Sequence, residues 1–249
     1  MSNNTVSIVV PVYQAGRFIK STIECVLAQT YTDWEMILVD DRSTDDGPAI
    51  IKSYDDKRIR YILMNSNDGA WRARNCGIDN AVGRYIAFLD ADDLWEPDKL
   101  ELELSYMKKM SAGFVFTGYE FADADGKPTN AVVRVPKTLT YREALHNTTI
   151  FTSTVLIDRN VVPDELIHMP NIKSEDTATW WNILRSGIKA YGLDINLVKY
   201  RRSAKTLSSN KLEALRRIWN LYRKNALLSV PRSCLEFVMW AVLAVKRRL

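Results

Sequence analysis

Three carboxylates stand within four residues at Asp90-Ala91-Asp92-Asp93, directly after the apolar run Tyr85-Ile86-Ala87-Phe88-Leu89. Carboxylates that close repel one another, so the cluster is costly unless a cation sits among them. Hard oxygen donors of this kind suit a divalent metal such as Mg2+ or Mn2+. The residues alone leave a second reading open, a solvated acidic turn in which Asp92 or Asp93 caps a helix beginning near Pro97-Asp98-Lys99-Leu100. Two more acidic pairs share the pattern. Asp40-Asp41 closes the apolar run 34–39, and Glu175-Asp176 precedes the aromatic pair Trp180-Trp181. Asp41 could accept hydrogen bonds from a uracil N–H or ribose hydroxyls, or the pair could cap a helix, a task for which Ser43 and Thr44 compete. Asp176 could act as a general base, or Glu175 and Asp176 could form the first turn of a helix capped by Ser174.

The elements that would carry these groups alternate. Residues 6–13 form a β-branched run stopped by proline, and Ile19, Ile23, Val26 and Leu27 then recur at helical spacing up to about residue 30. Strand-like runs follow at 34–39, 58–63 and 85–89, with helical segments after Gly47 and over 70–80. Strands alternating with helices imply a parallel sheet with right-handed crossovers, so the fold class is α/β, a Rossmann-like mostly parallel sheet flanked by helices. Buried parallel strands read as unbroken apolar runs, and open sheets of this class bind ligands at the carboxyl ends of their strands. Pro11-Val12-Tyr13, Asp40-Asp41 and Asp90-Ala91-Asp92 would then share one sheet edge. Further along, a helix is expected over 95–110, strands over 114–119, 152–157 and 193–200, a hairpin turn at Asp123–Pro128 in place of a calcium loop, a short helix over 141–146, and a helix after Glu175 that Gly187 stops.

Composition narrows the function. With 249 residues, 47% hydrophobic and 26% charged, the chain has ample length for a core and no repeat or low-complexity tract. Cys25, Cys76 and Cys234 are far apart, and with only His146 and His168 they supply neither a disulfide framework nor a zinc site. The first residues lack a basic and apolar leader pattern, so a reducing cytoplasm is expected. No GxGxxG follows the first strand and no Walker lysine is present, which argues against a dehydrogenase or a P-loop enzyme.

Five segments, in order, resemble glycosyltransferase family 2: Val9-Val10-Pro11-Val12-Tyr13, Gln29-Thr30-Tyr31, Leu38-Val39-Asp40-Asp41-Arg42-Ser43-Thr44-Asp45, Ala73-Arg74-Asn75-Cys76-Gly77 and Phe88-Leu89-Asp90-Ala91-Asp92-Asp93. Together they cover about the first hundred residues densely and are far more specific than any one alone. The resemblance implies a GT-A fold and inverting transfer of a sugar from a nucleotide-sugar, usually UDP-linked, with Mn2+ or Mg2+ as helper. It implies a nucleoside and diphosphate pocket from Pro11, Val12, Tyr13, Asp40, Asp41, Arg74, Asp90 and Ala91, a metal held by Asp92 with Asp90, and Asp176 as the base. Asp93 is left to capping. Weaker contacts to acceptor or phosphate fall on Glu175, on Trp180 and Trp181 as stacking surfaces, and on Arg201, Arg202 and Lys205. Many relatives carry Tyr-Arg-x-His where this chain has Tyr200-Arg201-Arg202-Ser203, so the histidine that would give a third metal ligand is replaced by Ser203, and the segment reads equally as a basic surface loop leading into the tail. A nucleotide-sugar-binding sensor or scaffold without turnover would display the same donor motifs.

The division expected is a catalytic domain over 1–205, with a donor half (1–110) and an acceptor half (111–205), and basic amphipathic helices over 206–249. From Lys205 onward ten basic residues face two acidic ones, while the rest of the chain is net acidic. Leu212, Leu215, Trp219, Tyr222 and Ala226 form an apolar stripe beside Arg216, Arg217, Arg223 and Lys224, and the apolar run 235–245 is too short to span a bilayer. That pattern suits an anionic membrane surface, giving a peripheral enzyme on the inner face of the cell membrane, or packing on the catalytic domain or a second subunit as a homodimer. Without a recognised module the basic charge does not call for nucleic acid. The acceptor expected is a saccharide, lipid-linked, of bacterial surface polysaccharide synthesis.

Overall fold

The structure, a computed structural model, describes residues 4–202 and 211–246. The chain opens with β1 (Val6–Val12), α1 (Gly16–Leu27), β2 (Trp34–Asp40), α2 (Gly47–Lys52), β3 (Ile59–Leu63), α3 (Ala70–Asp79) and β4 (Tyr85–Phe88). β5 (Leu94–Trp95), α4 (Lys99–Met110), β6 (Phe114–Ala122), β7 (Pro128–Val133), β8 (Thr138–Leu139) and α5 (Tyr141–Ala144) come next. The remainder is β9 (Val155–Asp158), α6 (Asp164–Ile167), α7 (Glu175–Arg185), β10 (Ala190–Arg201), α8 (Lys211–Asn220) and α9 (Val230–Lys246).

The main sheet runs β3-β2-β1-β4-β9-β6-β10-β5. β1 through β4 pair in parallel, and the strand order reverses between β1 and β4. That reversal opens a crevice at the carboxyl ends of these two strands. Their side chains alternate between two cores. Val9, Ile37 and Phe88 face α3 and α7, whereas Ile8, Val10, Leu38 and Ala87 face α1 and α4. Because both faces are covered, the strands read as long apolar runs, broken in β1 and β2 only by the mutually hydrogen-bonded Ser7 and Glu35 among their buried positions before the carboxyl ends.

Several expectations change in the second half. β9 pairs antiparallel with both β4 and β6, so the sheet is mixed. Thr152, Ser153 and Thr154 form a 3-10 turn ahead of β9 and are not part of the strand. The helix expected from residue 95 begins at Lys99, because Leu94–Trp95 pairs with β10 instead. The Asp123–Pro128 stretch does make the turn of the β6–β7 hairpin, with Gly126 at φ 81°.

The C-terminal helices dock on the domain by one face. Ile218, Leu221 and Tyr222 are buried in the core that also holds Trp180 and Trp181, and the Tyr222 ring stacks on Trp181 at 5.5 Å. Tyr222 therefore belongs to a domain contact and not to a free amphipathic face.

Candidate active site

A cleft of about 450 Å³ opens at the β1/β4 reversal. Pro11, Val12, Tyr13, Asp41, Arg74, Asp90, Ala91 and Asp92 line it, as expected from sequence. Gln14, Ala15, Phe18, Asn67, Gly69, Ala70 and Ala73 line it as well. Asn67 and Gln14 sit on loops whose approach to the cleft is a tertiary matter, and no periodicity announces them. Tyr13 lies at the rim, 55% exposed, with its ring free to cover a planar base.

The loops around the cleft are fixed by side chains. Asp41 Oδ1 and Oδ2 accept the N–H groups of Asp68 and Gly69, each at 2.8 Å, which holds the 65–69 loop against the cleft. Gly69 precedes α3 at φ 93°, a conformation costly for a side chain with Cβ. The α3 helix lies so close to β1 that a Cβ on Gly77 would stand 2.4 Å from Val9 Cγ1. That close approach delivers Arg74 to the cleft wall. The Gln14 amide accepts from the N–H groups of Thr44 and Asp45, closing the opposite rim.

Asp40 does not reach the cleft. It is fully buried, accepting the Tyr61 hydroxyl at 2.6 Å and the Ser43 N–H at 2.8 Å. As the last residue of β2, its side chain points the other way from that of Asp41, since successive strand residues alternate. Its assignment to the nucleotide is corrected to a structural tie.

The three clustered carboxylates have separate fates. Asp92 faces the cleft, and burial, followed by the charge of Asp90, pushes its carboxyl up to about 6. Asp90 Oδ1 accepts Arg74 Nη2 at 2.7 Å. Asp93 is fully buried; burial and then its two acidic neighbours raise its carboxyl. It accepts the Ser153 hydroxyl at 2.6 Å and the Arg201 N–H at 3.2 Å. Asp93 is thus no helix cap: α4 begins after Asp98, and Asp93 ties the acidic loop to the 152–154 turn.

Arg74 spans the site. Its Nη1 donates to Glu175 Oε1 at 2.8 Å and its Nη2 to Asp90, so the guanidinium links the end of β4 to the start of α7. Burial opposes its charge, but Asp90 and Glu175 outweigh that and raise its pKa. Glu175 is accordingly a partner of Arg74. Next to it, Asp176 Oδ2 accepts the Thr152 hydroxyl at 3.0 Å and Oδ1 accepts the Thr177 N–H at 2.6 Å. Ser153, one residue on, donates to Asp93 and accepts the Asp90 N–H at 3.1 Å. One short turn therefore holds both the acidic loop and Asp176. Thr152 and Ser153 escaped the sequence reading because they looked like the start of a strand.

The remaining assignments divide. Trp180 and Trp181 are buried, Trp180 against Phe88 and Phe114 and Trp181 against Tyr222. Neither offers a face to a sugar; they hold α7 to the core. Arg201 is buried too, donating to the Asp92 carbonyl, to Ser21 Oγ at 2.8 Å and to Thr22 Oγ1 at 3.1 Å. It fastens the acidic loop to α1 and is not directed at a diphosphate. Arg202 stacks over Phe121 at 3.8 Å. Lys205 and Ser203 lie outside the described residues.

Residues 7–162 match the Glycosyl transferase family 2 model. The chain belongs to that family. It is 42% identical over 247 residues to TuaG of Bacillus subtilis, whose name places it in teichuronic acid biosynthesis, covering 98% of this chain and 97% of the relative. It is 35% identical over 225 residues to WfgD of Escherichia coli, named as a UDP-Glc:alpha-D-GlcNAc-diphosphoundecaprenol beta-1,3-glucosyltransferase, covering 89% of this chain and 86% of the relative. Among solved structures, residues 1–349 of S. aureus TarS with UDP-GlcNAc superpose with a TM-score of 0.71 at 18% identity, over 96% of this chain and 71% of that one. The Pyrobaculum calidifontis mannosyltransferase with GDP-Man and Mn2+ gives 0.71 at 17% identity, over 97% and 70%. The enzyme is a glycosyltransferase of GT-A fold, and its β1/β4 crevice lies where such α/β sheets bind nucleotides.

Proposed function

We propose that this glycosyltransferase moves one sugar, with inversion, from a UDP-sugar of the glucose, galactose or N-acetylated hexosamine type to a lipid-linked saccharide in bacterial surface polysaccharide biosynthesis. The observation that carries the reading is the Arg74 bridge, which brings Asp176 beside the donor cleft. The donor class follows the name of WfgD and the UDP-GlcNAc complex of TarS. The acceptor class follows the names of WfgD and TuaG.

In this reading Tyr13 covers the base and Asp41, through the loop it holds, shapes the ribose side. Asp92 and Asp90 would hold a divalent ion, since Mg2+-type sites take one or two carboxylates together with substrate phosphates. The chemistry of the donor set supports this, because burial and the charge of Asp90 raise the Asp92 carboxyl despite the charges of Arg201 and Arg74. Bound there, Mn2+ or Mg2+ would supply Lewis-acid stabilisation of the departing nucleoside diphosphate. Asp176 accepts the proton of the acceptor hydroxyl as that oxygen attacks the anomeric carbon, with Thr152 and Thr177 fixing its carboxylate. Arg74 holds the two walls in register.

The test is transfer from UDP-glucose to a GlcNAc-diphospholipid acceptor, alongside calorimetry of UDP with and without Mn2+ in wild type and Asp92→Ala. Product formation with metal-enhanced binding that Asp92→Ala removes is expected. Equal UDP binding in all four cases would end the metal assignment, and no transfer from any UDP-sugar in a panel would end the donor assignment.

A further inference from the structure

The α9 helix is apolar on its outside. Leu235, Val238, Met239 and Val242 are 52%, 59%, 38% and 62% exposed, at i, i+3, i+4 and i+7. That is the spacing of one helical face. The opposite face is the one that docks. Glu236 is buried and pairs with His146 Nδ1 at 2.9 Å, Trp240 Nε1 donates to Thr148 Oγ1 at 3.1 Å, and Ser233 is fully buried. A helix with its ionic group turned inward and its valines turned outward is inverted for a protein surrounded by water.

Charge identifies what covers it. Arg232 stands one turn before Leu235 in the same register, half exposed and paired with Glu236 Oε1 at 2.5 Å, and position 246, a lysine, stands one turn after Val242. On the preceding helical segment Arg216 and Lys224 are exposed. The two acidic residues beyond position 210 are both engaged, Glu213 by Lys173 at 2.7 Å and Glu236 on the inner face. A second copy stacked stripe to stripe would therefore bring basic ends onto basic ends, parallel or antiparallel, while Glu213 and Glu236 are already taken by Lys173 and by His146 and Arg232. An anionic lipid surface supplies both the apolar phase and the opposite charge. No helix of the described residues is long and apolar enough to cross a membrane. At 17 residues α9 is suited to lie along the interface.

We infer that the outer stripe Leu235/Val238/Met239/Val242 of α9 is the surface by which the enzyme lies on an anionic membrane leaflet. This rests on the reading that its acceptor is lipid-linked. The inner face of the same helix holds Thr148 and His146, a few residues ahead of Thr152, which touches Asp176. The exposed stripe and the face that grips the segment leading to Thr152 are thus two faces of one helix.

Flotation of the full chain with vesicles of phosphatidylglycerol and phosphatidylcholine, against phosphatidylcholine alone, decides the matter. Wild type is expected to float with the anionic vesicles and to be released by high salt. Val238→Glu/Val242→Glu, at exposed positions, should reduce flotation by about tenfold or more while leaving UDP affinity and UDP-sugar hydrolysis as in wild type. A variant that floats like wild type, or a wild type that binds both vesicles equally, overturns the inference. So does a solution dimer that the variant converts to monomer with vesicle binding intact. UDP affinity and hydrolysis report on the donor reading separately, so failure of one is not mistaken for failure of the other.

Discussion

The proposed donor side and the proposed acceptor side of this active site are built differently. On the donor side, Tyr13, Asp41, Asp90 and Asp92 all lie within a few residues of the carboxyl ends of β1, β2 and β4. Strand register places them, and each is held by loops that begin at the same edge. On the acceptor side, Asp176 accepts Thr152 from another segment, and its neighbour Glu175 is held by Arg74 from α3. Neighbouring strands can set a pocket by pairing alone, whereas a base on a helix terminus needs long-range contacts to fix its direction.

That difference can be broken or sharpened by substitution. Asp176→Asn keeps the shape and removes the basic oxygen. Turnover should fall by about 10²–10⁴-fold with UDP affinity by calorimetry unchanged; a matching loss of UDP affinity would erase the division between the two sides. Trp181→Ala strikes the packing that joins α7 to the tail through Tyr222. It should cost about 3–5 kcal/mol in urea unfolding and make the C-terminal helices easier to clip by protease. Ser153→Ala affects both sides at once, because its hydroxyl serves Asp93 and the Asp90 N–H. A loss of about 1–3 kcal/mol in stability is expected, with weaker UDP–Mn2+ binding as well as slower transfer. An effect on transfer alone would place Ser153 wholly on the acceptor side.

The smallest effect tests the donor half away from the cleft. Burial pushes the Glu35 carboxyl up, but hydrogen bonds from Ser7, the Val82 N–H and Arg60 outweigh it and hold it below its usual 4.5. A carboxyl lowered by folding adds stability above its unfolded value, and that stability is lost as pH falls through the folded value. Glu35→Gln should therefore lower thermal stability at pH 7, and the gap from wild type should narrow below pH 4.5. A gap that stays constant with pH would mean that shape rather than charge holds this junction of β1, β2 and β3.

Legibility followed the same division. The strands β1, β2 and β4 were plain because burial on both faces favours long apolar runs, and the cleft residues at their ends came with them; the half-buried β3 was marked by its β-branched pattern instead. Asp40 was misplaced because adjacent acidic residues look alike until alternation along the strand sends one inward. Asp93 and Arg201 were misread for a related reason: charge in a sequence suggests solvent or ligand, and here the two meet inside the protein. Trp180 and Trp181 show the converse, since an aromatic pair beside a base fits a sugar platform and a core wall equally well.

The sequence by itself determined the α/β order, the acidic strand ends and the family, because these rest on local pattern and on motifs within single elements. The tertiary structure alone decided which carboxylate of Asp90, Asp92 and Asp93 faces the cleft and which is buried as a tie. It decided too that one turn, 152–154, serves both walls, and that α9 turns Glu236 inward and its valines outward. Those outcomes depend on which distant groups arrive to satisfy or exclude a side chain, and spacing along the chain carries no record of them.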